Sequence, residues 1–463
     1  MRTRRLCAGM IVWVSCVQAQ QPFENIYYST SGYQMNLTEL NSGNLMTAFA
    51  WYPGVSLLDR DGNFIQSKCF YGDSVLTMGS IRKYSDNEVY FVTSYRKDSC
   101  TAMGSITVPY THPAIGRMDS LGNILEFRHY ALNAACGNSP GDLELTSAKD
   151  ILVWGRDNRF FAFKVDSAGA PVWAKRFSNN GSFRFIKELP GGDLLAGFDM
   201  DTAGASVARL DAFGNFIWCK SYMRPMGRVH DAVVESDSSF IITGYTGSTP
   251  YKLFMMKLDG GGEVQWCRGY DAINGWSTLH RSRIETTLDG NFVFLATLAQ
   301  AQYPYFFRPF LMKSDLNGDT LWTRSVGSDS YAYYTRDLLA SSDGGFLFSG
   351  IVWGNLPEMN TGLPYIFKAD SLGHFSCQDQ AHPVQVLDLF PTDSSFVLTS
   401  VDGATVHPAF VNDTLFDPIA VYDACIVTSV PAPLQSKARR VSIRPNPTTG
   451  SFTVEFTDPL AAD

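Results

Sequence analysis

Apolar runs too short for helices, each introduced by a polar turn, recur along most of this chain. "SGNLMTAFA" (Ser42–Ala50), "DNEVYFVTSY" (Asp86–Tyr95), "AKDILVWG" (Ala148–Gly155) and "PGGDLLAGF" (Pro190–Phe198) begin the series. "SDSSFIITGY" (Ser236–Tyr245), "LDGNFVFLAT" (Leu288–Thr297), "SDGGFLFSG" (Ser341–Gly350) and "TDSSFVLTS" (Thr392–Ser400) continue it. In each, small polar residues turn the chain and a β-branched or aromatic run follows, which predicts a buried strand. Few segments keep a 3.6-residue period over helical length, so a helical solenoid is disfavoured.

A second pattern alternates with the first. "KVDSAGAPVW" (Lys164–Trp173), "RLDAFGNFIW" (Arg209–Trp218), "KLDGGGEVQW" (Lys257–Trp266) and "KSDLNGDTLW" (Lys313–Trp322) share the form [K/R]-x-D-x-x-G-x-x-x-W. Looser copies lie at Leu57–Gln66, Arg117–Glu126 and Lys368–Cys377, and successive Asp positions are 45 to 60 residues apart. The physics is that of a hairpin: Asp bonds backbone N–H groups just ahead of it, and Gly supplies the positive φ that ends the turn. The Trp seven residues beyond Asp suits packing between stacked sheets. With a further strand upstream, each unit holds four strands, the content of a propeller blade. The expected fold is therefore all-β, a β-propeller with a short C-terminal β-hairpin. Seven blades are the first choice. Eight stays open, because Gln385–Val427 could form a degenerate blade. A pair of β-sandwiches is the other architecture, although a sandwich does not require near-even repeats.

Composition narrows the function. The chain has 463 residues, 45% hydrophobic and only 18% charged, so wholesale disorder is excluded. Its 37 basic and 45 acidic residues give a net charge of −8, and no basic stripe appears outside the termini, which argues against nucleic acid as a partner. Arg2, Arg4 and Arg5, the apolar "LCAGMIVWVSCV" (Leu6–Val17) and the small residues of "VQA" follow in the order of a signal peptide, residues 1–19. No other stretch approaches a transmembrane span. Export exposes cysteines to oxidation. Cys377 and Cys425, which flank one segment, are the expected disulfide pair. The absence of any C-x-x-C pair gives no reason to expect zinc.

Candidate sites are fewer. Ser94–Pro113, Leu298–Phe310 and Val352–Tyr365 are long at the same place in the repeat, so they should emerge on one face of the ring. Tyr303, Tyr305, Phe306, Trp353 and Tyr365 then form a candidate aromatic patch for sugar rings or a protein partner. The alternative role for these rings is to cover blade edges. "DRDGN" (Asp59–Asn63) and "DLNGD" (Asp315–Asp319) resemble the start of calcium loops, but lack the closing Glu and flanking helices, and a tight turn already explains them. No cofactor or metal ligand set is therefore assigned. No G-x-S-x-G, H-E-x-x-H or phosphate loop occurs, and no catalytic residue is assigned. His230 and His280, in "RVHDAVVE" and "TLHRSRIE", hold related positions near an expected channel mouth, where a shared packing role is the plainer reading.

The tail carries a resemblance. After a Pro- and Ser-containing basic linker, residues 429–440, "VSIRPNPTTGSFTVEF" alternates, turns and alternates again. Pro445, Asn446, Pro447 and Gly450 match the strand, P-N-P-x-x-G, strand opening of the type A C-terminal sorting domain of the type IX secretion system. The resemblance covers residues 441–463, the start of a module whose members continue through further strands. The repeat region also looks like the propellers that often precede such tails, where a β-rich segment bounded by Cys follows the last blade; here that is 381–428. The propeller itself spans 20–380. The resemblance implies periplasmic transit, engagement of the secretion machinery by the C-terminal module, and release or attachment at the cell surface. The expected function is an exported binding module for a glycan or surface protein. A propeller enzyme acting on polysaccharide and an adhesin or scaffold are the rivals. A deep channel lined by two or more carboxylates would favour the enzyme.

Overall fold

Each repeated Asp closes its own turn. A computed structural model describes residues 21–28, 36–49, 53–71, 75–102, 106–132, 139–156, 159–177, 181–200, 203–223, 225–272, 276–300, 307–328, 331–354, 362–377, 379–408, 412–415, 420–424, 440–444 and 453–457. In all seven bends the Asp Oδ1 accepts the backbone N–H groups two and four residues on, at 2.8–2.9 Å. The Gly three residues after it takes φ between 75° and 81°, a left-handed conformation that costs Gly little.

The same Gly receives the neighbouring repeat. A Cβ on Gly214, Gly262 or Gly318 would come within 3.0 Å of the ring of Trp173, Trp218 or Trp266, each from the preceding repeat. The Trp173 and Trp218 indoles donate to the Ala212 and Gly260 carbonyls of those bends at 2.9 Å. Where the first repeat has Gln66 instead of Trp, its amide donates to Leu121 O at 2.8 Å, so the contact survives the substitution. A second anchor lies four residues further on: the Tyr222 and Tyr270 hydroxyls donate to Gly262 O and Gly318 O at 2.7 Å.

These contacts assemble seven four-stranded antiparallel sheets, the blades. Inner strands are Asn36–Glu39, Val75–Lys83, Ser139–Leu145, Gly181–Glu188, Met226–Ser236, Trp276–Thr286 and Tyr331–Ala340 for blades 1 to 7. They neighbour one another in that order, and the seventh neighbours the first, so the ring closes. Blade 7 takes its outer strand, Phe23–Tyr28, from the N-terminal end of the described chain. Closure uses the contact found between other blades: Tyr27 Oη donates to Gly62 O at 2.7 Å, and the Phe23 ring fills the space above Gly62. Apolar side chains from adjacent blades interleave into seven clusters, among them Phe185, Val207, Ile242 and Phe254 between blades 4 and 5.

The segment that follows blade 7 forms neither an eighth blade nor a separate closing unit. Gln380–Ala381, Val384–Asp388, Asp393–Ser395, Ser400–Asp402, Ala404–Pro408, Asn412–Leu415 and Ala420–Asp423 each pair with the outer strand of a different blade, in the order 6, 5, 4, 3, 2, 1, 7. The chain thus encircles the ring as a belt. Outer strands present unpaired N–H and C=O groups, and the belt satisfies them. It also seals the cores. Val386, Leu389, Leu398, Val406, Val421 and Ala424 pack into six different inter-blade clusters. Belt carboxylates meet a basic residue nine positions after the bend Asp. Lys175 pairs with Asp402 at 2.8 Å and Lys220 with Asp393 at 3.1 Å, and Arg268 pairs with Asp388. Cys377 is disulfide-bonded, whereas Cys425 lies outside the described residues. Arg440–Arg444 and Thr453–Thr457 pair as an antiparallel hairpin; Pro445, Asn446, Pro447 and Gly450 lie outside the described residues.

Two comparisons test this construction. Gly262 and Gly290 share a left-handed φ, 77° and 80°, but only Gly262 faces a ring, since a Cβ on Gly290 would meet nothing within 4 Å. Gly262→Ala should therefore cost roughly 1–3 kcal/mol more than Gly290→Ala in denaturant unfolding; equal losses would refute the contact. In the belt, Leu398 is 6% exposed and its neighbour Val397 is 88% exposed. Leu398→Ala should cost about 2–4 kcal/mol and Val397→Ala under about 0.5. A neutral Leu398→Ala would make the belt decoration rather than part of the core.

Candidate binding site at the channel mouth

The inner strands of blades 2 to 7 all carry a register shift against their second strands. A bulge re-aims the side chains beside it. Just past it, at one equivalent position, stand Ser80, Asp142, Phe185, Asp231, Arg283 and Asp337. Two residues on come Arg82, Glu144, Lys187 and Glu285 in blades 2, 3, 4 and 6. The repeat therefore delivers a double tier of charge to the axis.

Cations and carboxylates pair across the channel. Arg283 of blade 6 reaches Asp142 of blade 3 at 3.3 Å, Asp231 of blade 5 at 3.7 Å and Asp337 of blade 7 at 3.7 Å. Arg82 of blade 2 holds Asp142 at 3.1 Å and Glu144 at 3.8 Å, and Lys187 reaches Glu144 at 3.6 Å. Backbone N–H groups of Leu37 and Ala232 donate to Asp337 and Asp231 at 3.0 and 2.9 Å. Burial would raise the Asp142 carboxyl, but Arg82 and Arg283 outweigh it and hold it down at about 2. Burial likewise opposes charge on Lys187, and Glu144, Asp231 and Glu285 overcome it and raise the ammonium. Glu285 goes the other way: burial lifts its carboxyl to about 7 against the pull of Lys187, with Asp231, Asp337 and Glu144 adding to the rise.

Above this plug lies a cavity of about 300 Å³. Asp142, Arg283 and Ser282 lie toward the plug, Ser139 stands opposite Arg156 at the strand ends, and Trp154, Phe183 and Arg184 complete the lining. It opens between blades 3 to 6 where inner strands begin and second strands end. That is also the face from which the second-to-third strand loops emerge, including the three long ones. His230 lines the cavity and is 7% exposed. The Ser282 N–H donates to its Nδ1 at 2.9 Å, so the neutral ring carries its proton on Nε2. At the rim, Arg184 Nε donates to Asp199 at 2.6 Å and Arg228 approaches the same carboxylate at 3.8 Å. Burial nevertheless raises the Asp199 carboxyl against both. Arg156 is exposed, and no ion pair engages it among the described residues.

The aromatic patch expected from the sequence does not assemble as written. Tyr365 is wholly buried in the blade 7 cluster; it stands opposite Gly350, and its ring fills the volume that a Cβ there would need. It is a packing residue. Trp353, at the end of the second strand of blade 7, is 40% exposed on the long-loop face. Tyr303, Tyr305 and Phe306 lie outside the described residues, as does the side chain of His280. The calcium-like Asp59 and Asp315 make the same turn bonds as their siblings. Residue-by-residue reading missed the axial charges. Their signal is an ionisable residue at one or other of two positions, two residues apart, in the inner strands of blades 2 to 7, visible only once the repeats are aligned.

Seven radial four-stranded sheets about an axial channel make this a β-propeller, and a ligand-sized cavity at one mouth is its distinguishing site. No family profile and no curated protein matches the sequence. Solved structures of similar shape include a streptogramin B lyase, with a TM-score of 0.45, 13% identity and coverage of 75% of this chain and 99% of that one. The Dos1 propeller gives a TM-score of 0.39, 12% identity and coverage of 75% and 95%. The NanB sialidase from Streptococcus pneumoniae gives 0.40 and 10%, with coverage of 60% and 67%.

Glu285 supplies a test of the axial network. Its folded pKa, about 7, lies above the ordinary 4.5, so its contribution to stability is complete below pH 4.5 and is lost as pH rises through about 7. Glu285→Gln removes that loss. Relative to wild type, its unfolding free energy should rise by roughly 2–3 kcal/mol between about pH 4.5 and about pH 8. A difference independent of pH would mean that Glu285 titrates as an ordinary surface carboxyl.

Proposed function

We propose that this chain is an exported propeller that binds a polar ligand, glycan or surface protein, at the channel mouth and works outside the cell or on its surface. In this reading residues 1–19 direct export, and the module beginning near Val441, with Pro445, Asn446, Pro447 and Gly450, engages the type IX machinery. One observation carries the binding role. A cavity large enough for a small polar group opens on the long-loop face above a charge-sealed channel.

A second reading has specific support. Five carboxylates reach the channel, the condition set above for a polysaccharide enzyme, and Glu285 has the raised pKa of a general acid. Against it, Asp142 is the carboxylate among the residues lining the cavity, and two guanidinium groups hold it ionised. Glu285 belongs to the plug beneath, ringed by Lys187, Asp231, Asp337 and Glu144. Retaining and inverting glycosidases both need a carboxyl pair flanking the scissile bond. Binding is therefore the better account.

Gly141 gives a clean test, because it lines the cavity and a Cβ there would lie 3.6 Å from its nearest neighbour, an ordinary contact. On an array of glycans and surface proteins, wild type should retain a defined set of ligands and Gly141→Leu should lose them while unfolding normally. Retention of every ligand by Gly141→Leu would move the binding surface elsewhere. Ligand turnover by wild type would favour the enzyme.

A further inference from the structure

We infer that the ligand of this cavity is a carboxylate-bearing saccharide, a hexuronate unit, with its carboxylate at the arginine rim and its hydroxyls on the floor. The inference rests on the reading of the cavity as the binding site.

Guanidinium groups predominate at the mouth, whereas at the base Asp142 is set against Arg283. Arg156 of blade 3 and Arg184 of blade 4 line the cavity, and Arg228 of blade 5 joins Arg184 at Asp199. Asp199 stands between Arg184 and Arg228, one carboxylate against two guanidinium groups. Arg156 is exposed, and neither a hydrogen bond nor an ion pair engages its guanidinium among the described residues. A planar guanidinium with open donors binds carboxylates in a paired geometry that a lysine could not reproduce.

The floor selects the opposite chemistry. Asp142 is firmly ionised, with Glu144, Asp231 and Asp337 in the network around it. Arg82 and Arg283 are already engaged by these carboxylates, so an anion there finds no open guanidinium, whereas a hydroxyl can donate to Asp142. Ser139 and Ser282 add hydroxyls that donate or accept. A ligand matching both ends is anionic on one side and rich in hydroxyl donors on the other. Trp154 and Phe183 border the cavity but are packed into the core, 3% and 5% exposed, so recognition of a pyranose ring falls to the polar groups. A volume of about 300 Å³ accommodates one such ring with bound water rather than a long chain, so the unit recognised is a terminal or isolated residue.

Calorimetric titration of the full chain with D-galacturonate, D-glucuronate, D-galactose, D-glucose and D-galactose 6-sulfate tests this. At least one uronate should bind at least about tenfold more tightly than its neutral parent, and more weakly as salt is raised. Arg156→Gln, at an exposed position that folding does not require, should remove that margin, and Arg184→Gln should do so as well. Equal affinity for uronate and parent, an unaffected Arg156→Gln, or no uronate binding overturns the inference. Preference for the sulfate overturns it too, assigning the rim to a sulfated sugar. Gly141→Leu separates the two claims: if it abolishes uronate binding that Arg156→Gln leaves intact, the site stands and the charge assignment falls. If it leaves binding intact, the site itself is wrong.

Discussion

The contact between a bend glycine and an aromatic residue of the preceding blade is the constraint on which the ring depends. It joins two demands on one residue. The bend requires a left-handed φ, and the neighbour requires bare backbone for an indole or phenol to approach. Because donor and acceptor belong to adjacent repeats, each blade positions the next. Tyr222 and Tyr270 make the same bond to the next glycine carbonyl that Tyr27 makes across the ring closure. The junction where the two ends of the ring meet is thus chemically the same as the others, and it carries no special seam.

Radial sheets solve the inner core but leave the outer edges open. The belt answers that problem with short strands and few apolar anchors. Belt residues such as Val386, Leu398 and Val406 insert between blades while the chain steps from edge to edge, so no strand is long enough to be a sheet of its own. Lys175, Lys220 and Arg268, each nine residues past its bend, give three belt aspartates a partner at a repeating height. Lys175 is almost wholly buried whereas Asp402 is exposed, so the pair fixes the belt's register more than it adds stability. Register matters here because a slip by one residue would turn Leu398 outward and Val397 inward.

Much of this was legible in the chain. The Asp, Gly and Trp spacing gave the hairpin, its φ and its packing, and seven bends gave seven blades. The belt was not legible, because its strands lack the turn-strand-turn grammar of the repeat and draw their order from edges elsewhere. "TDSSFVLTS" reads as one more blade strand, yet it splits: Asp393–Ser395 pairs with blade 4, and the Ser400–Asp402 strand that follows pairs with blade 3. Tyr365 was misjudged for a related reason. Aromatic content drew attention to Tyr365, but a Tyr opposite a Gly within a strand is a packing residue, since its ring fills the space the Gly leaves. Asp142, Arg184 and Arg283 sit in strands and look like surface alternation. Only the bulge, which sequence does not announce, turns them toward the axis.

The bulges also decide what the axial channel can do. A ring of inward-facing carboxylates would repel itself; a ring of inward-facing cations would do the same. Alternating them around the axis, with Arg283 spanning the gap between Asp142, Asp231 and Asp337, closes the passage with mutually satisfied charge. With ion pairs crossing the passage, the open space near the axis is the cavity at its mouth. The mouth with the cavity is also the one reached by the variable loops, where insertion changes the rim without disturbing bend, belt or plug. On the proposed reading, specificity falls to rim side chains such as Arg156, above a base held by the axial ion pairs.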